Sequence, residues 1–192
     1  AAPRAKILIP GMLSVTGGTG RICLINVVPN APLGVPAPRV RQWEQRTQFY
    51  QRALAAQADG RFDREILPLA GLTADEGPRT PDAAKITSLD PIVPGGLHTA
   101  ATASQMSDGA AALLLASEEA VRRHGLTPRA RIHHLSARGA DPVMMLSAPI
   151  PATAYALDRM GLTIDDMDLV EINEAFAAVV LAWLTETGAD PG

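Results

Sequence analysis

Between residues 39 and 59, Trp43, Tyr50 and Leu54 recur at i, i+7 and i+11, with Ala53 and Ala58 beside them and Arg or Gln elsewhere. That rhythm predicts an amphipathic helix, and Gly60 is placed to close it in a left-handed cap. A second helical rhythm starts at Phe176: Val179, Val180, Trp183 and Leu184 follow at i+3, i+4, i+7 and i+8, and Gly188 stops it. Two further helices are marked by their ends. Ser117 is set to cap "EEAVRRHG", with Glu118 and Glu119 in the first turn and Arg122, Arg123 and His124 in the last, as the helix dipole favours. Pro151 suits the first turn of "ATAYALDRM", which Gly161 ends, and Thr163 with Asp166 is spaced as a capping box for a short turn.

Other apolar runs lack a helical period. "RICLINVV", "DGAAALLLAS", "ARIHHLSA" and "MDLVEI" are short and rich in small or β-branched residues, which predicts strands. "FDREILPL" reads as a short extended piece. The stretch from Gly71 to Gly96, with Pro78, Pro81, Pro91 and Pro94, reads as loop. From Leu97 onward, strands and helices alternate through short links. That grammar predicts an α/β fold, a mostly parallel sheet with covering helices, and ligands beyond the carboxyl ends of the strands. Three segments result: an atypical Pro/Gly-rich stretch (1–38), a loop-rich region (39–96) and an α/β core (97–192).

Composition narrows the function classes. Hydrophobic residues make up 47% and charged residues 19%, as in an ordinary globular protein and unlike a disordered one. A net charge of −3 with no basic block points away from nucleic acid and anionic membranes. No stretch approaches the roughly 18 apolar residues of a membrane span. The single cysteine, Cys23, forms no internal disulfide and fits a reducing compartment, so a soluble cytoplasmic protein is expected. "TGGTG" (16–20) lacks the Lys-Ser/Thr of a P-loop and reads as a turn. Asp165, Asp166 and Asp168 suit turn and cap roles, so no metal site is expected. The His133–His134 pair reads as one strand residue on each face.

The most informative stretch is "VEINEAFAAV" (170–179), where a polar Asn173–Glu174 pair interrupts the passage from strand to helix. Asn is a favoured N-cap and Glu a favoured first-turn acid, which accounts for both without chemistry. The same place is also a ready site for an oxyanion or phosphate. Periodicity leaves the two readings open.

"INEAFA" (172–177) resembles the Asn-Glu-Ala-Phe signature of the thiolases, the acetyl-CoA acetyltransferases and 3-ketoacyl-CoA thiolases. "TAATASQMSDGAAALLLASEEAV" (99–121) is similar to that family's T-A-x-x-A-S-x-x-x-D-G-A-A-A stretch, and "APIPATAYAL" (148–157) to its G-P-x-P-A segment. "QRALAAQADGRFDREILPL" and "DEGPR" resemble the loop that covers coenzyme A. Several motifs in the family's order, from about residue 50 onward, make the signal specific. The resemblance implies an incomplete thiolase-like fold and acyl transfer between coenzyme A thioesters, with no cofactor beyond that substrate. It further implies a homo-oligomer. Carried over, Asn173 would hold a catalytic water, Glu174 would support the site, Phe176 would line the acyl pocket, Ser104 would meet the pantetheine arm, and Met145 would wall the substrate site.

The chain departs from the family in its cysteines and histidines. Cys23 lies among bulky apolar neighbours, not in the family's Cys-Ala/Gly-Ser-Gly turn, where a helix dipole would lower its pKa. The sequence ends at "TGADPG", before the family's Gly-His-Pro and final Cys-Gly, and none of its histidines replaces that motif. Residues 1–38 do not resemble the family. The chain alone is therefore expected to turn over little. The alternatives are a non-catalytic coenzyme A-binding pseudo-enzyme or partner subunit, and a fragment that does not fold by itself.

Overall fold

The computed structural model describes residues 22–25 and 39–190. Of the Pro/Gly-rich segment only strand β1 (Ile22–Ile25) is among them, and "TGGTG" lies outside the described residues. β1 pairs in parallel with β2 (Leu169–Ile172), Cys23 opposite Val170 and Ile25 opposite Ile172. Parallel strands cannot be joined by a tight turn, so a long crossover has to connect them. Among its described residues are α1 (Arg39–Ala58), α2 (Ala83–Ser88), α3 (Glu118–His124) and α4 (Pro149–Met160), then a 3-10 turn at Ile164–Asp166. α5 (Ala177–Thr187) follows β2. The fold is α/β, with parallel pairing, covering helices and a loop-rich region, as the alternation predicts.

The helix ends follow their sequence signals. Ser117 Oγ accepts the Ala120 N–H at 3.1 Å, and Gly125 closes α3 at φ 60°. Asp166 accepts from both the backbone N–H and the hydroxyl of Thr163. α4 starts two residues before the expected helix, with Pro149 rather than Pro151 first, since proline's missing N–H has no partner to lose at N1. Asp82 caps α2 inside the expected loop by accepting the Lys85 N–H. "FDREILPL" turns instead of extending, because Glu65 and Ile66 both donate to the Phe62 carbonyl.

Two expected strands do not form. Residues 108–117 and 130–137 have no regular structure, and Leu113, Leu114, Leu115, Ile132 and Leu135 are exposed. An apolar run becomes a strand only where a neighbour takes its backbone hydrogen bonds. Among the described residues, none is laddered to these segments.

The core is built on α5. Ala177, Ala178, Val179, Val180 and Trp183 are buried along it, and Leu146, Ile172 and Ala175 join the last four in one apolar cluster. Each fully buried Ile or Val contributes about 1.5–3 kcal/mol. The Trp183 indole N–H donates to Thr153 Oγ1 at 2.9 Å, and that hydroxyl donates to the Pro149 carbonyl at 2.7 Å, which ties α4 to α5. α1 also packs on α5, but its inner face differs from the expected apolar stripe. Gln42, Arg46 and Tyr50 are buried, while Trp43 and Leu54 are only half-buried.

Candidate functional site

The chain leaves β2 at Ile172 and does not enter α5 until Ala177, so residues 173–176 form a turn at the carboxyl end of the strand. Asn173 is therefore not the helix N-cap. Phe176 occupies that position with extended backbone (φ −143°) and no side-chain cap bond. The simple capping account of the Asn-Glu pair fails here.

This turn is zipped to the stretch that carries Ser104. The Ser104 N–H donates to the Ala175 carbonyl at 2.9 Å, and the Ala177 N–H to the Thr102 carbonyl at 3.0 Å. Together they make an antiparallel bridge between Ala103 and Phe176. Thr102 locks the preceding bend: its hydroxyl donates to the Thr99 carbonyl and accepts the Thr99 N–H, and both threonines are wholly buried. Ser104 is exposed on the rim, and Phe176 and Asn173 are half-buried. Met145 arrives from a different loop and packs on the cluster that holds Ile172 and Ala175, as Phe176 does. The structure thus brings Ser104 to the turn that carries Asn173, Glu174 and Phe176, while Met145 packs on the core cluster that this turn adjoins.

The loop that delivers Met145 is held in an unfavourable backbone. Met145 and Leu146 have φ of 37° and 57°, the left-handed region that costs an L-residue about 1–2 kcal/mol. Asp141 offsets this by accepting from the backbone N–H groups of Val143 at 2.7 Å and Met144 at 3.1 Å. Those two bonds also hold its carboxyl below its ordinary pKa. Leu146 anchors the loop by burying its side chain in the core.

Glu174 is the most deeply placed ionisable group of the site. Its side chain is 0% exposed, and Oε2 accepts from Arg46 Nη1 at 2.9 Å. Loss of water pushes its pKa up to about 7, while the Arg46 charge and hydrogen bond pull the other way. Its carboxyl therefore lies inside the turn, shielded from solvent and held by Arg46. His98, also buried, bonds through Nδ1 to Gln42 Oε1 at 3.0 Å, and its ring lies 5.3 Å from that of Phe176. Burial lowers its pKa, so the imidazole is neutral near pH 7. Because an amide oxygen only accepts, the shared proton sits on Nδ1 and Nε2 keeps its lone pair.

Arg46, Gln42, His98, Thr99 and Thr102 escaped sequence reasoning. Hydrophobic periodicity assigns polar helix residues to solvent, so a buried Gln–Arg pair one turn apart carries no signal of its own. Cys23 has its backbone in the middle of the parallel ladder, and its side chain lies outside the described residues. No group of His, Cys, Asp or Glu among the described residues is arranged to hold a metal ion, and no helix among them is long and apolar enough to cross a membrane.

Comparison with known proteins agrees with the fold. The thiolase N-terminal domain matches residues 35–119, and the thiolase C-terminal domain matches residues 126–191. A steroid 3-ketoacyl-CoA thiolase of Mycobacterium tuberculosis is 60% identical over 146 residues, covering 74% of this chain and 36% of that protein. A 3-ketoacyl-CoA thiolase of Vibrio cholerae is 42% identical over 162 residues, covering 78% of this chain and 42% of that protein. Human mitochondrial 3-ketoacyl-CoA thiolase, solved in complex with CoA, superposes with a TM-score of 0.76 at 38% identity, over 80% of this chain and 40% of the human one. The chain spans about two fifths of the length of the relatives it matches. With both thiolase domains matched in order and the fold shared, the chain belongs to the thiolase family.

Proposed function

We propose that these residues are the acyl-CoA-facing part of a thiolase-type acyltransferase. Such an enzyme moves an acyl group between coenzyme A thioesters, by thiolysis of a 3-ketoacyl-CoA or by Claisen condensation. The observation that carries this reading is the zipper between residues 102–104 and 175–177, which sets exposed Ser104 beside the turn that carries Asn173, Glu174 and Phe176. In this reading residues 39–96 cover coenzyme A, and residues 97–192 form part of the catalytic core.

Each half of such a transfer develops negative charge on a thioester oxygen, so donors fixed in advance lower the barrier. Asn173, the first residue beyond β2, offers an amide with two N–H donors that can hold a water against that oxygen. Glu174 stiffens the turn from within. Phe176 and Met145 give the acyl chain apolar walls that exclude water. Ser104, exposed, meets the pantetheine arm.

A second reading, a coenzyme A-binding subunit without turnover, is favoured by Cys23. It is the one cysteine of the sequence, and its backbone lies in a strand, not in a turn opening a helix. Calorimetric titration of the 192-residue chain with acetoacetyl-CoA, alongside a thiolysis assay, tests both readings. Saturable binding, weakened by Asn173→Ala and by Phe176→Ala, with little turnover is the expected result. Family-like turnover discards the second reading, and absence of binding discards both.

A further inference from the structure

We infer that Arg46 is the positioning residue of the candidate site. It sets the spacing between the Ser104 stretch and the Asn173–Phe176 turn. The geometry is a single guanidinium fork bonded to two segments distant in sequence. Nη1 donates to Glu174 Oε2 at 2.9 Å, and Nη2 donates to the Ala103 carbonyl at 3.0 Å. Ala103 and Phe176 are themselves the bridged pair, so the fork spans the zipper at its centre. A planar guanidinium with two arms in fixed geometry constrains both partners at once, which a lysine ammonium cannot do.

Burial makes this arrangement hard to explain as incidental. Arg46 is 3% exposed, on a helix face where an aliphatic residue would pack without losing hydration. Its guanidinium lies 5.0 Å from the Phe49 ring centroid and 5.1 Å from that of Tyr50, so its own helix holds it in place. One turn earlier, Gln42 holds His98, at the other end of the stretch that runs to Ser104. α1 thus grips this stretch at both ends, and through Arg46 it also grips the turn. The Nε of Arg46 and the Oε1 of Glu174 have no hydrogen-bond partner among the described residues. The network therefore depends on these two arms.

The importance of this spacing to function rests on the acyl-CoA reading above, so the test carries one readout independent of any ligand. Amide hydrogen exchange is measured on the full chain for wild type, Arg46→Lys, Arg46→Met and Glu174→Gln. The Ser104 and Ala177 amides, which form the zipper, report on the spacing, and the Trp183 indole N–H reports that the core is intact. Arg46→Met is expected to speed exchange at both amides by about tenfold or more while Trp183 stays protected. Arg46→Lys, keeping the charge but not the fork, is expected to fall between. If Arg46→Met unfolds, the Lys and Gln variants decide the matter. Unchanged Ser104 and Ala177 protection in the variants that fold overturns the inference. Acetoacetyl-CoA titration of the same proteins separates the two ideas: zipper loosening without any wild-type binding removes the acyl-CoA reading and leaves the positioning role standing.

Discussion

Arg46 and Glu174 stand 128 residues apart in sequence and meet at 2.9 Å, with side chains 4% and 0% exposed. One lies on the helix of the loop-rich region and the other in the turn that carries the family signature. Withdrawing both charges from water costs several kcal/mol per ion, which the mutual attraction and the extra bond to Ala103 offset only in part. Such a pair contributes less to net stability than to fixing one arrangement of these segments.

Stability should depend on pH through Glu174. Its carboxyl has a folded-state pKa of about 7, raised from an ordinary 4.5 by burial. Between those values the folded state holds more protons than the unfolded chain, so this contribution falls as pH rises. It is complete below pH 4.5 and lost once pH has passed 7. The full span corresponds to about 3 kcal/mol. Urea denaturation of wild type and Glu174→Gln from pH 4 to 8 isolates it as a difference curve. A difference that stays flat across this range removes the claim.

Removing the cation should matter more in alkali than in acid. Arg46→Met leaves Glu174 buried beside an apolar side chain, and above pH 7 the uncompensated charge costs about 3–5 kcal/mol. At pH 5 the carboxyl takes up a proton and most of that penalty disappears. Because Arg46 normally pulls the Glu174 pKa down, its loss also moves that titration higher. Denaturation midpoints of Arg46→Met at pH 5 and pH 8 check the first point, and side-chain carbon NMR of Glu174 checks the second. Equal destabilisation at both values contradicts the account.

Thr153→Val should expose how α4 is tied to α5. The Thr153 hydroxyl both accepts the Trp183 indole N–H and donates to the Pro149 carbonyl, and all three residues are buried. Valine has nearly the same shape but leaves the buried indole N–H without its acceptor, at about 1–3 kcal/mol, while the Pro149 carbonyl keeps its helical bond within α4. Trp183→Phe removes the donor instead and spares the Thr153–Pro149 bond, so it should cost less at this contact. Paired denaturation curves rank the two, and a larger loss in Trp183→Phe would mean that packing of the indole ring outweighs the hydrogen bonds.

Legibility from sequence followed locality. Helix ends were readable because their signals lie within one turn: Ser117 with Ala120, Thr163 with Asp166, and the left-handed glycines 125, 161 and 188. Asn173, Phe176 and Ser104 stood out because they lie in short ordered motifs, whereas Met145 lies outside them. What stayed hidden was non-local. Nothing near Arg46 announces a carboxylate 128 positions away, and polar Gln42 and Arg46 imitate a solvated face. The start of α5 was misplaced because the helical period from Phe176 onward does not show that three polar and small residues precede the first helical bond. The runs at 108–117 and 130–137 carry strand composition, but composition says nothing of a partner strand.

Those two runs allow a last prediction. Leu113, Leu114 and Leu115 are 78%, 80% and 72% exposed, in a segment free of regular structure. Consecutive exposed leucines attract hydrophobic dye and other apolar surfaces, since their hydration is relieved on contact. Backbone N–H groups with no ladder exchange at nearly unprotected rates. Residues 110–117 should therefore exchange within the dead time of a manual experiment, while the buried turns of α5 stay protected for far longer. Leu114→Glu should reduce binding of a hydrophobic dye and change folding stability by no more than about 0.5 kcal/mol, as for a surface site. Slow exchange across 110–117, together with a loss of several kcal/mol in Leu114→Glu, would mean that this run is buried in the solution state and has found a strand to pair with.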